Sequence, residues 1–357
     1  MAWLDLSKQN LHVKCKPFSY TLLRFSFQQF NRLDSFSRLD RSPYPEMRNH
    51  TPAVSFILLG LTDDLQMQIL IFTFLLITYI LSIAGNLIII ILILVDSHLK
   101  SAMYYFLQNF SFLDISFTSA CIPRFLYSIS TGDRSITYNA CVAQLFFTYV
   151  FGMTEFFLLA TMSYDRYVAI CKPLHYMTIM NHRFCKMLTF CCWMTTFLII
   201  FPPFCLGLNP EFCDSVIDHF FCDVNPLLKI SCSDLWFIEE MTLVGSVLIY
   251  IMTLICVVLS YMFIIRTVLR FPSAQQRTKA FSTCSPHFIV VSITYGSCIF
   301  VSIKPSSKDE LAINKEVVIL MTSISPMLNL FIYTLRNKQV KCAFNDLVKR
   351  ILLVSKS

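Results

Sequence analysis

Seven blocks of apolar residues, each long enough to cross a lipid bilayer, set the terms for this 357-residue chain. A helix spanning the hydrocarbon core needs about 20 predominantly apolar residues. The blocks run over about 69–95, 102–124, 140–165, 187–207, 240–265, 280–303 and 317–335. The first contains no charged residue, and the second and third each carry one acid near the middle, Asp114 and Glu155. Backbone groups inside lipid must bond within the protein, so each block is expected to be helical. No long alternating segments of the barrel type interrupt them. Only 14% of the residues are charged, against about 25% in soluble domains. The expected fold is therefore all-α and integral to the membrane, a seven-helix bundle over residues 69–335.

Lys and Arg set the expected orientation. Segments 95–102, 165–186, 266–279 and 335–357 hold 15 of the 29, the opposite loops hold 6, and the remaining 8 precede residue 67. The positive-inside rule places the first set in the cytoplasm. Seven spans then put the N-terminus outside and the C-terminus inside. The net charge of +7 is spread over several loops rather than one face, which does not suggest nucleic-acid binding.

Two parts lie outside the bundle. Residues 1–46 are polar and basic, with no apolar core of signal-peptide length. They read as a disordered upstream extension, with Met47 the expected working start. The N-tail, 47–68, carries Asn49-His50-Thr51, a glycosylation acceptor at Asn49. In 336–357, Val340, Ala343, Phe344, Leu347, Val348 and Ile351 recur at helical spacing among Lys and Arg. This predicts a short amphipathic helix along the inner membrane face.

Most of the 15 Cys fall inside spans and read as small hydrophobes. Cys141 instead opens the third span on the outer side, and Cys213, Cys222 and Cys232 lie in the long outer loop. Disulfides are favoured there. Four cysteines allow three pairings, and spacing does not choose among them. A zinc site would be expected to bring a CxxC or paired His, and neither is present.

Several motifs together carry a resemblance. Met162-Ser163-Tyr164-Asp165-Arg166-Tyr167-Val168-Ala169-Ile170-Cys171 closes the third span, and Pro173-Leu174-His175-Tyr176 follows it. Gly85-Asn86 lies in the first span, Ser260-Tyr261 ends the fifth, and Lys279-Ala280-Phe281-Ser282-Thr283-Cys284 opens the sixth. In this combination residues 47 to about 350 resemble vertebrate odorant receptors of the rhodopsin-like G-protein-coupled class. The resemblance implies disulfides Cys141–Cys222 and Cys213–Cys232, which would hold a lid over a ligand pocket. It implies a small odorant as ligand and a heterotrimeric stimulatory, olfactory-type G protein as partner, with cAMP as the output. Asp165, Arg166, Tyr167, Tyr261, Asn329 and Tyr333 are the implied coupling and switch residues. The sequence departs from the pattern at Leu330 after Asn329, at Ala102 and at Pro286. A proline at 330 would favour a kink near the inner end of the seventh span, and Leu330 removes that bias.

Asp114 and Glu155 are mid-membrane acids, and such residues are usually functional. By the resemblance they would hold a sodium ion, a shared proton or a bridging water being the alternatives; no other cofactor is implied. The candidate ligand contacts are Thr148, Tyr149, Gly152 and Met153 on the third span and Ser246 and Ile249 on the fifth. On the sixth they are Tyr295, Cys298, Ile299 and Ser302, with Tyr295-Gly296 matching a family motif in which the Tyr meets the ligand. Asn86 and Trp193 read as helix-packing positions. Light sensing is not expected, since no Lys lies in the seventh span. A transporter should show an internal repeat with broken helices, and an enzyme a nucleophile paired with a base. The sequence shows neither, so the chain is not expected to be an enzyme.

Overall fold

A computed structural model describes residues 55–303 apart from 209, together with 315, 318–320, 322–328, 332, 340, 342–345 and 349. Six long helices follow one another: α1 Leu65–Val95, α2 Ala102–Thr131, α3 Tyr138–Cys171, α4 His182–Leu206, α5 Trp236–Leu269 and α6 Ala274–Ile303. The described residues of the seventh segment, including 318–320 and 322–328, are also helical. The helices overrun the apolar blocks because their polar ends extend beyond hydrocarbon depth. Local chemistry sets where several begin and end. Asp64, Thr137 and Asn181 accept from backbone N–H groups in the first turns of α1, α3 and α4, satisfying donors a helix start leaves open. Gly132 ends α2 at φ 74°, with its N–H on the Ser128 carbonyl, a left-handed stop that suits Gly.

α1, α3, α4 and α5 are long and apolar enough by themselves to cross a membrane. α2 and α6 have comparable length but more polar residues, among them Asp114 and Arg124 in α2 and Gln275, Arg277 and Lys279 in α6. Large apolar side chains cover the outer faces too, as at Leu70, Leu198 and Leu248, which suits lipid rather than water. Buried hydroxyls bond back to the preceding turn, as Thr118 to Asp114 O at 2.7 Å and Thr154 to Val150 O at 2.7 Å. α3 is the central post, in contact with α2, α4, α5 and α6.

An all-α expectation misses one element. At the end of the bundle that carries the disulfides, β1 Ser55–Leu58 is the middle strand of a three-stranded sheet. It runs antiparallel to β2 Ser135–Thr137, pairing Phe56 with Ile136, and parallel to β3 Val216–Ile217, pairing Leu58 with Ile217. Its side chains alternate with period two: Phe56 and Leu58 are fully buried, Ser55 and Ile57 exposed. Gly60, at φ 78°, turns the chain from the sheet toward α1. The sheet, the Cys141–Cys222 bridge and the Cys213–Cys232 bridge form one lid. Upstream, Asn49 and residues 1–54 lie outside the described residues. In the C-terminal segment the described residues at 340, 342–345 and 349 are helical, with Val340 and Ala343 buried and Phe344 exposed.

Candidate functional site

Beneath the lid, α3, α4 and α5 enclose an apolar cavity. Its volume is about 90 Å³, several times the ~10–15 Å³ one water needs. α3 contributes Val142, Leu145, Tyr149 and Met153. α4 contributes Ile199, Ile200, Pro203 and Phe204. The α5 wall includes Met241, Thr242, Gly245, Ser246 and Ile249, and the roof includes Leu208, Phe212, Val224 and Leu227. None of the lining residues is ionisable except Tyr149. A charged ligand would therefore be desolvated without a partner, which costs several kcal/mol or more.

The lid is tied to this cavity by specific contacts. Cys141 at the top of α3 bonds Cys222, and Gln144 one turn on accepts from the Cys222 N–H at 3.0 Å. Tyr149 donates to Asp223 Oδ1 at 3.2 Å, and Asp223 also accepts from Val224 N at the start of the short roof helix Val224–Lys229. Phe56 of the sheet packs edge-on against Phe212, ring centroids 4.9 Å apart. Tyr138 donates to the Leu208 carbonyl. His219, also in the lid, stacks on Phe220. Burial pushes its imidazole pKa below the ordinary value, and the nearby Asp223 opposes that.

The candidate contacts divide. Tyr149, Met153, Ser246 and Ile249 line the cavity. Thr148 and Gly152 turn toward α2. The Thr148 hydroxyl lies 3.6 Å from Cys121 Sγ, and a Cβ at Gly152 would meet the Phe117 ring at 3.3 Å. Tyr295, Cys298 and Ile299 are not lining residues. Tyr295 is buried between Phe156 of α3, at 5.2 Å, and Tyr250 of α5, at 5.4 Å. It thus sits next to the cavity floor, since Met153 and Phe156 lie one turn apart. The side chain of Ser302 lies outside the described residues. Of the two residues expected to pack or bond between helices, Trp193 meets α3, whereas Asn86 bonds within its own helix. Trp193 stacks edge-on against Phe151, and Asn86 donates to Ser82 O at 3.0 Å.

At the opposite end of α3, Asp165 and Arg166 form a buried ion pair, with Arg166 Nε 3.0 Å from Oδ2. The Tyr176 hydroxyl donates to the other carboxylate oxygen at 2.9 Å. Burial and then the Asp165 charge raise the Tyr176 pKa above its usual value. Tyr167 packs on Phe263 of α5. Tyr261 lies 2.7 Å from His287 Nδ1, and His287 Nε2 lies 3.1 Å from the Leu159 carbonyl. A carbonyl only accepts, so Nε2 carries the hydrogen and Nδ1 accepts from the Tyr261 hydroxyl. One imidazole thus ties α6 to both α3 and α5. Sequence reading passed over His287. A lone ionisable residue inside an apolar block was the available signal. Asn329, Leu330 and Tyr333 lie outside the described residues.

Asp114 is buried and Glu155 half-buried. One turn before Asp114, the Ser111 hydroxyl is buried without a hydrogen-bond partner among the described residues. An acid and such a hydroxyl on one helix face are oxygen donors of the kind a hard cation takes. No cluster of three or more His, Cys, Asp or Glu suited to a metal occurs among the described residues.

A family model described as "Olfactory receptor" matches residues 74–354. The chain is 66% identical to olfactory receptor 6C2 of Homo sapiens over 311 residues, covering 87% of this chain and 100% of that one. It is 61% identical to olfactory receptor 6C74 of Homo sapiens over 310 residues, covering 87% and 99%. Squid rhodopsin superposes with a TM-score of 0.63 over 78% of this chain and 80% of that one, at 17% identity, a likeness of fold alone.

Proposed function

The chain belongs to the olfactory receptor family and is a multi-pass membrane protein, and on that premise we propose that it binds a small volatile molecule in the cavity under the lid and activates a stimulatory, olfactory-type G protein that raises cAMP. The observation that carries this reading is the cavity itself: apolar, free of charged side chains, and roofed by a disulfide-bonded lid. Pockets of this kind bind small molecules through shape and a few hydroxyls. The surplus of Lys and Arg near Arg166 orients that end to the cytoplasm and the lid to the outside of the plasma membrane.

The coupling is an allosteric two-state device. A ligand against Met153 and Ile249 presses on the adjacent Phe156–Tyr250–Tyr295 aromatic cluster, and Tyr295 belongs to α6. Movement of α6 breaks the His287 contact with Leu159. It then opens the Asp165–Arg166 end to the G protein. Sodium held by Asp114 and Glu155, with Ser111, would favour the resting state. The test is cAMP in cells carrying the full chain and the olfactory G protein, screened against a broad odorant panel. A dose-dependent rise, lost in Arg166→Ala and in the cavity-filling Met153→Trp at equal surface expression, supports the reading. Silence across the panel with the receptor at the surface refutes it.

A further inference from the structure

α4 and α5 meet across one glycine. A Cβ built on Gly245 would lie 2.9 Å from Ile199 Cγ2, closer than real Cβ contacts come. Both residues line the cavity. The next residue, Ser246, also faces it. Of the three lining hydroxyls, Thr242 donates to the Ile238 carbonyl at 2.8 Å and Tyr149 to Asp223 at 3.2 Å. Ser246 makes no hydrogen bond to any described residue. The cavity therefore offers one side-chain hydroxyl that makes no hydrogen bond to a described residue, set beside the close approach of Gly245 to Ile199, in a wall without charge.

We infer that Gly245 and Ile199 form a gauge that sets the girth of the ligand at Ser246, and that the ligand is a neutral molecule whose single oxygen pairs with the Ser246 hydroxyl. This rests on the reading of the cavity as the ligand site. Ile199 is β-branched and stiff about χ1. Pro202 and Pro203, within the next turn of α4, fix φ there and restrict how the backbone can give way. A methyl at 245 is therefore relieved by driving the Ile199 branch into the cavity. A bare Cα at 245 keeps that width free. The gauge acts on width beside the oxygen and not on the reach of a tail toward Met153 or the roof. Ring-shaped and branched molecules should feel it, and straight chains of equal carbon count should not.

The probes are matched neutral alcohols, 1-hexanol against cyclohexanol and 1-octanol against cyclooctanol, read as cAMP in cells expressing the full chain. The native receptor should answer members of both shapes. Gly245→Ala should weaken the cyclic alcohols by about five- to a hundredfold, the usual overpacking range, with the linear ones nearly unchanged. Ile199→Ala alone should favour the cyclic alcohols, and in the double variant it should restore the native cyclic-to-linear ratio. Ser246→Ala should weaken both shapes alike. Surface labelling separates these effects from misfolding, and Ile199→Ala tests the gauge without introducing a clash. An unchanged ratio in both Gly245→Ala and Ile199→Ala overturns the gauge. No response to any alcohol, in a receptor that answers another odorant of the panel and loses that answer in Met153→Trp, overturns the ligand class while the cavity reading stands. If no odorant acts at all, the cavity reading falls too.

Discussion

Phe56→Ala should release the N-terminal strand from the lid. Backbone N–H groups of Ile57, Leu58, Leu59 and Gly60 donate to carbonyls of 215, 134, 217 and 219 at 2.8–3.1 Å. Such bonds contribute about 1 kcal/mol each, net of water. Burying Phe56 and Leu58 completely adds about 1.5–3 kcal/mol apiece. Opposing this is the backbone entropy of residues 55–60, about 1–2 kcal/mol each. The strand is held by a margin of only a few kcal/mol. Removing a buried Phe ring costs about 3–5 kcal/mol, which exceeds that margin. Phe56→Leu keeps most of the apolar volume and should leave the strand docked. The assay is amide hydrogen exchange on the purified receptor in nanodiscs, followed over residues 55–60. Native and Phe56→Leu proteins should protect these amides, and Phe56→Ala should exchange them at nearly free-peptide rates. Unchanged protection in Phe56→Ala would refute the reasoning, because the strand would then be held by something other than its buried face. Phe56 also backs Phe212, so Phe56→Ala should reduce odorant potency as the roof loosens.

Three further outcomes are expected. Tyr149→Phe removes the bond to Asp223 and should speed loss of signal after odorant washout by about tenfold, the equivalent of a hydrogen bond to a charged group worth ~1.5 kcal/mol; an unchanged decay would show that this bond does not hold the lid. His287→Leu severs the tie between α6 and both α3 and α5 and should raise basal cAMP by about five- to thirtyfold for a loss of ~1–2 kcal/mol in the resting state, whereas basal signalling at the native level would remove His287 from the switch. The depressed pKa of His219 means that the unfolded chain takes up its proton first. The stability this group contributes is complete above pH ~6.5 and is lost as pH falls toward the lower folded value. The melting temperature of the solubilised receptor should therefore drop from pH 7.5 to 5.5, and His219→Gln should lessen the drop; equal slopes in the two proteins would rule His219 out as its source.

The seven-span architecture was legible in the chain because its cause is local. A block of apolar residues some 20 long has few ways to satisfy its backbone in lipid, and Asp165-Arg166-Tyr167 at the end of the third block marks one end of the bundle. The four lid cysteines were legible too, and their pairing followed from the resemblance, not from their spacing. The sheet was not legible, because residues near 57, 136 and 216 meet only after the helices have placed them, and each strand is two to four residues long. The cavity's composition was half legible. Tyr149 and Met153 face it, while Thr148 and Gly152, one residue away on the same helix, face α2, since each residue turns the side chain by about 100° and neighbouring helices decide which direction is cavity and which is core. His287 looked like one polar residue in an apolar block until tertiary packing set Tyr261 and the Leu159 carbonyl against its two nitrogens. Local pattern determined which segments become helices. Contacts between residues far apart in the chain decided the lid, the cavity wall and the tie across α3, α5 and α6, because those depend on distances that only packed helices define.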